Sequence, residues 1–299
     1  MDLWQHYLHP DNVIEALQAL SSAPGPACLI AGGTDLMLDL QQGRHEPVHT
    51  LVDITSIPEM TALEIRYPKK GYKRGELYIG AAVPLGRIAC SILAQEHAQA
   101  LVEACNLIGG PQVRNMATLG GNVAHALPAA DGTIALMALD AQAEIADLEK
   151  RRHVPLSDLF VGPGQSALKA GQELLVGFHI PLRAPHQGSA FKRIMRAQGI
   201  ALPILNLSVW LERQADRIAN ARVAVGPSGP TPRRIKPVED ALRGQTFGLA
   251  ACSRALNVLL DNVHFRTSPY RASAEYRQQL VEVLLKDTLD IAWQRAGSL

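Results

Sequence analysis

The sequence of 299 residues predicts an α+β protein with two domains. Its first part mixes short apolar strands with amphipathic helices, and two glycine-bearing turns lie between them. From about Gly188 the pattern changes to alternating strands of an antiparallel meander, and helices follow in residues 237–296. We therefore expect one domain in residues 1–184 and a second, smaller one in residues 185–299.

The elements of the first domain follow from periodicity and turn residues. Val13, Leu17 and Leu20 share one apolar stripe after Pro10 and Asp11, which predicts a capped helix. Residues 27–31 and 51–54 are expected strands on either side of the first glycine turn, which makes a β-α-β unit. Further strands are predicted at 63–67, 77–80, 143–148 and 173–180, and helices at 85–93, 96–108 and 134–139.

The second domain is predicted to pair three strands, residues 191–195, 205–211 and 221–225, in an antiparallel sheet. Helices are expected over most of residues 237–296. A basic hairpin tip at residues 68–75 is either a solvated turn or a docking surface.

Composition excludes several classes of protein. Hydrophobic residues make up 47% and charged residues 19%, and the formal net charge of +1 predicts no nucleic-acid footprint and no patch for anionic membranes. The N-terminal residues lack a signal-peptide pattern. The longest apolar stretch, residues 200–211, is too short to span a bilayer. We expect a cytoplasmic protein without a transmembrane segment.

Metal-binding spacings are missing from the sequence. Cys28, Cys90, Cys105 and Cys252 are scattered without a CxxC pair, and the histidines show neither HxxxH nor HExxH spacing. The sequence therefore predicts no metal site and no iron–sulfur cluster in this chain.

The first glycine turn has the composition of a weak anion-binding loop. It runs through Leu29, Ile30, Ala31, Gly32, Gly33, Thr34 and Asp35. Two phosphate motifs are excluded, because no GxGxxG follows the first strand and no GK[ST] lysine is present. Backbone amides and a helix N-terminus remain, and they suit an internal diphosphate whose charge is not transferred. A tight strand-to-helix turn is the alternative.

The second glycine segment is more specific. It reads Gly110-Pro-Gln-Val-Arg-Asn-Met-Ala-Thr-Leu-Gly-Gly-Asn122. Thr118, Gly120, Gly121 and Asn122 offer a hydroxyl, amides and a carboxamide within five residues. Asp131 either accepts hydrogen bonds from vicinal ribose hydroxyls or caps the following helix. Arg114 is either a ligand-binding or a structural side chain.

These segments closely resemble the FAD-binding medium subunit of molybdenum hydroxylases, the xanthine dehydrogenase and aerobic carbon monoxide dehydrogenase family. The resemblance is carried by Ala31-Gly-Gly-Thr34 and by the second glycine segment through Asp131. It extends to Ile79-Gly-Ala-Ala82, Glu173-Leu-Leu-Val176, Phe191-Lys-Arg-Ile-Met-Arg196 and Arg271-Ala-Ser-Ala-Glu-Tyr-Arg277. It implies a vanillyl-alcohol-oxidase (PCMH) type FAD domain in two subdomains, about 1–56 and 57–184, followed by a small α+β domain.

The resemblance also implies site residues. Residues 29–35 would wrap the FAD pyrophosphate, residues 118–122 would contact it from the other side, and Asp131 would hold the ribose. Ala81 and Ala82 would line the nucleotide channel, and Leu174 or Leu175 would pack near the isoalloxazine ring. Ile108 occupies the position where some relatives place an aromatic residue against the flavin.

Lys192 and Arg196 are four residues apart on a predicted strand, so they face the same side. They are either flavin-pocket cations, which would stabilise a reduced anionic flavin, or surface charges. The resemblance favours Lys192 in the pocket and leaves Arg196 open.

The implied function is electron transfer. FAD would be held by this chain, [2Fe–2S] clusters by a small partner subunit and the molybdenum cofactor by a large one, in a dimer of heterotrimers. The electrons would pass to NAD or another acceptor, and no catalytic side chain is expected here. Two alternatives are a self-contained flavin oxidase, for which His125 is the only candidate for covalent attachment, and a scaffold subunit that binds no flavin.

Overall fold

A small parallel sheet opens the fold in the computed structural model, which describes residues 3–67, 75–195 and 202–298. Its elements are β1 (Trp4–Leu8), α1 (Val13–Ser22), β2 (Ala27–Ile30), α2 (Leu36–Gln41) and β3 (Val48–Asp53). Both β1 and β2 pair with β3 in parallel, so β2, α2 and β3 form the β-α-β unit that the sequence predicts. The sequence did not predict β1, because its side chains are mostly exposed and show no apolar alternation.

The helix α1 begins at a reciprocal cap. The side chain of Asn12 accepts a hydrogen bond from the Glu15 N–H at 2.9 Å, and the Glu15 carboxylate accepts one from the Asp11 N–H at 2.9 Å. This pairing satisfies amides that the first helical turn leaves without partners. The N-cap residue is therefore Asn12, which directly follows Pro10 and Asp11.

A five-stranded antiparallel sheet follows, in the order β4-β5-β10-β6-β7. Its strands, with two short ones, are β4 (Leu63–Arg66), β5 (Glu76–Gly80), β6 (Gln142–Ala146), β7 (Arg151–Pro155), β8 (Phe160–Gly162), β9 (Gln165–Ser166) and β10 (Leu174–Pro181). Six helices lie between β5 and β6: α3 (Leu85–Ala89), α4 (Ile92–His97), α5 (Gln99–Leu107), α6 (Pro111–Met116), α7 (Leu119–Ala124) and α8 (Asp131–Ala138). The predicted helix at 96–108 begins only at Gln99, because Ala98 leaves the helical conformation.

The two faces of this sheet differ in chemistry. Leu77, Ile79 and Ile145 point into the main core. The opposite face carries Tyr78 and Glu144, which alternate with those residues along the same strands. Burial alone would raise the pKa of Glu144, but hydrogen bonds from His179 and Arg151 lower it to about 2.

The second domain is built on a four-stranded antiparallel sheet. Its elements are β11 (Gln187–Met195), β12 (Pro203–Gln214), β13 (Arg217–Gly226), β14 (Arg233–Arg234), α9 (Lys236–Leu242), α10 (Leu249–Asn262) and α11 (Ala274–Gly297). The sequence predicted three strands. The fourth, β14, has only two residues, too few for a periodic signal, and pairs with Ala224 and Val225.

This second sheet is shared between the two domains. Phe191 and Trp210 point from it into the core of the first domain, where α5 and α8 pack. Ala190 and Leu207 point the other way, into a separate core formed with α9, α10 and α11. Because successive side chains of a strand point to opposite faces, the same strands bind both halves of the molecule together.

A buried ion pair joins the domains at this sheet. Arg193 on β11 donates to the carboxylate of Asp131, at the start of α8, and to the carbonyl of Leu107. Asn206 on β12 donates to the other carboxylate oxygen of Asp131 at 2.6 Å. The side chains of Arg193 and Asp131 are only 2% and 4% exposed, so neither charge has much access to water.

Two expectations fall outside the described residues. Residues 68–74 of the basic hairpin tip predicted at 68–75, and Arg196, both lie there. No helix in the described ranges is both long and apolar enough to cross a bilayer.

We expect Asp131→Ala to lower the free energy of unfolding by about 3–5 kcal/mol, because it leaves the Arg193 charge buried without its partner. Urea unfolding of the full chain measures this loss. Asp240→Ala is the matched control, since it removes a carboxylate that pairs with Arg243 at the surface and is 64% exposed; we expect a loss below about 1 kcal/mol there. Equal losses in the two variants would contradict the assignment of Asp131 to a buried pair.

Candidate cofactor-binding site

The first glycine loop, residues 31–35, presents a run of unpaired backbone donors. The N–H groups of Gly32, Gly33, Thr34 and Asp35 have no hydrogen-bond acceptor within the described part of the chain. Gly33 has φ +64°, in the left-handed region that glycine adopts without strain. Its carbonyl accepts the Met37 N–H at 2.9 Å, which ties the loop to the start of α2. Consecutive free amides at a turn of this kind form an anion-binding concavity.

The second glycine segment is fixed to the segment after β5 by main-chain hydrogen bonds. Gly120 donates to the carbonyl of Ala81 at 2.8 Å, Leu119 donates to Val83 at 3.1 Å, and Leu85 donates to Ala117 at 2.9 Å. A Cβ atom on Gly120 would lie 2.6 Å from the Ala81 Cβ. Gly120 therefore serves close packing, and its N–H is not available to a ligand.

The two glycine segments meet backbone to backbone. A Cβ atom placed on Gly32 would overlap the carbonyl oxygen of Met116 and approach Ala117. Gly32 thus allows the first loop to lie directly against the residues that precede Thr118. Segments about ninety residues apart in sequence form one surface.

One acceptor on this surface lacks a donor. The Oδ1 atom of Asn122 is buried and has no hydrogen-bond partner among the described residues. Thr118 is already used, because its hydroxyl oxygen accepts the Gly121 N–H at 3.2 Å and caps α7. Buried polar atoms are nearly always paired, so the carboxamide of Asn122 fits a ligand that supplies a donor such as a hydroxyl.

Asp131 does not cap its helix. Ala130 occupies the N-cap position of α8, and Asp131 is the first helical residue. Burial raises the pKa of the Asp131 carboxyl, against the opposing effect of Arg193 and of the hydrogen bond from Asn206. Both carboxylate oxygens already accept hydrogen bonds from the second domain. The capping alternative is therefore wrong, and the ribose contact stays a prediction.

Lys192 lies on the far face of β11 from Asp131. Its ammonium pairs with Asp287 of α11 at 3.3 Å. Arg193, the next residue, points toward α8 instead. Sequence reasoning missed Arg193 and Asn206, although the alternation of β11 would have placed Arg193 on the same side as Phe191.

The remaining predicted site residues fall into two groups. Those that offer some surface are Leu29, Ala31, Gly32, Gly33, Thr34, Asp35, Ile108, Gly121 and Asn122. Those whose side chains or backbone lie buried beneath that surface are Ile30, Ala81, Ala82, Thr118, Gly120, Leu174 and Leu175. Leu174 is fully buried in the main core, so its side chain has no exposed area for a flavin ring in this structure.

The short helix α6 lies at the rim of the two loops and buries none of its residues. Val113 and Met116 on it are 40% and 58% exposed, which is unusual for large apolar side chains next to a packed core. Arg114 donates to the carbonyls of Ile108 and Gly109, the latter at 2.7 Å, so it has a structural role. No sequence pattern pointed to the exposure of Val113 and Met116.

Comparison with known proteins gives a family match for each of the two domains. Residues 3–183 match the FAD binding domain in molybdopterin dehydrogenase. Residues 189–292 match the CO dehydrogenase flavoprotein C-terminal domain.

Relatives and solved structures cover nearly the full length. The chain is 30% identical to the xanthine dehydrogenase FAD-binding subunit of Escherichia coli O157:H7, over 97% of both chains. It is 27% identical to the carbon monoxide dehydrogenase medium chain of Hydrogenophaga pseudoflava, over 97% of this chain and 98% of the relative. A solved structure of carbon monoxide dehydrogenase from that organism, which lacks the Mo-pyranopterin moiety of the molybdenum cofactor, superposes with a TM-score of 0.87 at 27% identity, over 97% of this chain and 98% of that one. Quinoline 2-oxidoreductase from Pseudomonas putida 86 superposes with a TM-score of 0.85 at 26% identity, over 98% of both chains.

The matched domains, the full-length relatives and the shared fold agree with the two glycine segments that the structure brings together. This chain is an FAD-binding, oxidoreductase subunit of the molybdenum hydroxylase family, of the xanthine and carbon monoxide dehydrogenase type.

Proposed function

We propose that the chain holds FAD non-covalently between its two glycine segments and passes electrons from the iron–sulfur clusters of a partner subunit to an acceptor such as NAD. The observation that carries this proposal is the run of four N–H groups, from Gly32 to Asp35, that find no acceptor in the described ranges and lie next to the second segment. Backbone N–H groups that have no protein acceptor, at a turn before a helix, can donate to the oxygens of a bound diphosphate.

The electrostatics of the loops favour binding rather than phosphate transfer. Residues 29–35 and 118–122 contain no lysine, arginine or histidine. The negative charge of a diphosphate would therefore be stabilised by peptide dipoles alone, which hold it without polarising it for cleavage. This agrees with a cofactor that stays intact during turnover.

Other residues complete the proposed site. Asn122 would accept a hydrogen bond from a hydroxyl of the cofactor, since its Oδ1 atom is buried and unpaired. Ile108, Val113 and Met116 offer apolar surface beside the loops to an aromatic ring. Lys192 and Leu175 stay candidates from the family resemblance, without a contact in the structure that supports them.

The chain itself would position the FAD and would not transfer protons to or from it. Bound FAD supplies a carrier that accepts and releases electrons. Asp35 is the only titratable residue in 29–35 and 118–122, and it is exposed at the start of α2. No acid–base pair is therefore built into the loops, and we expect no catalytic side chain there.

The relatives support a set of partner subunits. Their names, a medium chain and an FAD-binding subunit, imply further subunits, and the matched carbon monoxide dehydrogenase has a molybdenum cofactor, whose Mo-pyranopterin moiety is missing from that structure. We propose a small subunit with [2Fe–2S] clusters and a large subunit with the molybdenum cofactor, as a dimer of heterotrimers. The four cysteines of this chain are free and scattered, which suits clusters held elsewhere. The cytoplasmic location stays a prediction.

The oxidase alternative has no support at the loops. His125, its candidate attachment residue, is exposed at the C-terminal end of α7. We expect the full chain, loaded with FAD and mixed anaerobically with purines, aldehydes or heterocycles, to keep its flavin oxidised. The native complex purified from its host should contain iron and molybdenum, and its flavin should be reduced by its substrate. Flavin reduction by an organic substrate in the isolated chain would refute the electron-transfer assignment.

Gly33→Val should weaken FAD binding at least about tenfold, because a branched side chain strains the left-handed turn that presents the free amides. Fluorescence titration of the FAD-free chain measures the affinity. Gly164→Val is the matched control. Gly164 has φ +70° and open space around its Cβ position, and it lies in the turn between β8 and β9. Equal FAD affinity in the two variants would contradict the role of the first loop.

Asn122→Ala should weaken FAD by about 1–2 kcal/mol while the FAD-free chain stays equally stable or becomes more stable. Alanine removes a buried oxygen without a partner and is a better helix former than asparagine. Thermal unfolding with and without FAD separates the two effects. If the variant loses stability without FAD and keeps its FAD affinity, Asn122 has a structural role instead.

A further inference from the structure

The face of the five-stranded sheet that points away from the main core carries a row of imidazoles and carboxylates. His179 lies on β10, Glu144 on the neighbouring β6, and His153 opposite Glu144 on β7. We call His153, His179 and Glu144 the sheet-face cluster. One possible ligand atom of each residue lies within 4.8 Å of the others. None of the three belongs to the proposed FAD site.

The contacts of His179 direct its Nε2 atom toward Glu144, inside the cluster. Its Nδ1 atom lies 3.0 Å from a carboxylate oxygen of Glu76, and its Nε2 atom lies 3.1 Å from the Oε2 atom of Glu144. Both contacts are hydrogen bonds only while both ring nitrogens carry a proton. When Nε2 gives up its proton to a metal ion, the Glu76 carboxylate keeps the other proton on Nδ1, and the Nε2 lone pair faces the cluster. This carboxylate–histidine pair is the usual outer shell of a metal-binding imidazole.

Glu144 is oriented in the same way. The guanidinium of Arg151 donates to its Oε1 atom at 3.1 Å and is itself held by Glu59 at 2.6 Å. Oε2 is therefore the oxygen that faces His179. The carboxylate is 8% exposed at its side chain, so its direction is set by these contacts and not by solvent.

The spacing fits a tetrahedral ion. Zinc bonds of about 2.0–2.1 Å place neighbouring ligand atoms roughly 3.3 Å apart, close to the Nε2–Oε2 separation of His179 and Glu144. The ring of His153 lies 4.3 Å from that of His179, centroid to centroid, so a rotation of the exposed His153 side chain brings its nitrogen to the third position. Two imidazoles and one carboxylate are a typical zinc ligand set, with a fourth position open to water.

The local charge also favours a dication. Four carboxylates lie on or beside this face, those of Glu59, Glu64, Glu76 and Glu144. Two guanidiniums lie there as well, those of Arg66 and Arg151. A bound Zn²⁺ would balance the excess negative charge.

We propose that the sheet-face cluster is a Zn²⁺ site with Glu144, His153 and His179 as ligands and water in the fourth position. The ion ties β7, the last strand of the described sheet, to β6 and β10. The sequence could not show this site, because its ligands come from three strands and are spaced 9 and 26 residues apart without a recognisable motif.

Metal binding by the full chain, purified without a polyhistidine tag and stripped with a chelator, tests the proposal. Isothermal titration with ZnCl₂ should show one equivalent bound. His153→Ala should weaken this binding at least about tenfold, since it removes a ligand from an exposed position that the fold does not need. His264→Ala is the control, because it removes an exposed histidine on the loop between α10 and α11; its affinity should equal that of the unaltered chain.

Two further readouts separate a built site from loose surface binding. Co²⁺ in place of Zn²⁺ should give the visible absorption of a tetrahedral ion, and His153→Ala should lose it. Zn²⁺ should raise the Tm of the unaltered chain and of His264→Ala, but not of His153→Ala. Substoichiometric binding, or equal affinity in the two variants, would overturn the proposal. FAD content is expected to be the same in every variant, so this outcome is independent of the proposed function.

Discussion

The proposed binding site depends on two glycines at which main chain packs directly on main chain. Gly32 lies against the carbonyl of Met116, and Gly120 lies against Ala81 while its N–H donates to the Ala81 carbonyl. Any side chain at either glycine would force the segments apart. These contacts bring loops from distant parts of the sequence onto one surface, and without them neither loop has a partner across the site.

That packing divides the work between the two segments. In the second segment the amides of Leu119 and Gly120 are consumed by docking, and the hydroxyl of Thr118 caps a helix. In the first segment the amides from Gly32 to Asp35 have no acceptor among the residues that the structure describes. The segment with the more specific sequence thus supports the site, and the one with the weaker signal presents the donors. The pair of Arg193 on β11 and Asp131 at the start of α8 connects the shared sheet to the first domain.

Sequence reasoning worked where a local pattern fixes the outcome. Paired glycines located both loops, and apolar alternation located the central strands. It failed where partners come from other elements. The edge strand β7 has no apolar pattern because none of its five residues is buried. The family resemblance favoured Lys192, and Arg193 was missed, because spacing along one strand shows which residues share a face, but not which element covers that face. Asp131 was expected to cap its helix or to bind a ribose. Its pairing with Arg193 was missed, because the two residues are 62 positions apart in the sequence.

A crystal structure of the chain with FAD bound would show whether the first glycine loop holds the diphosphate. We expect oxygens of the diphosphate within about 3 Å of at least two of the amide nitrogens from Gly32 to Asp35. A diphosphate held elsewhere, with those amides bonded only to water, would contradict it.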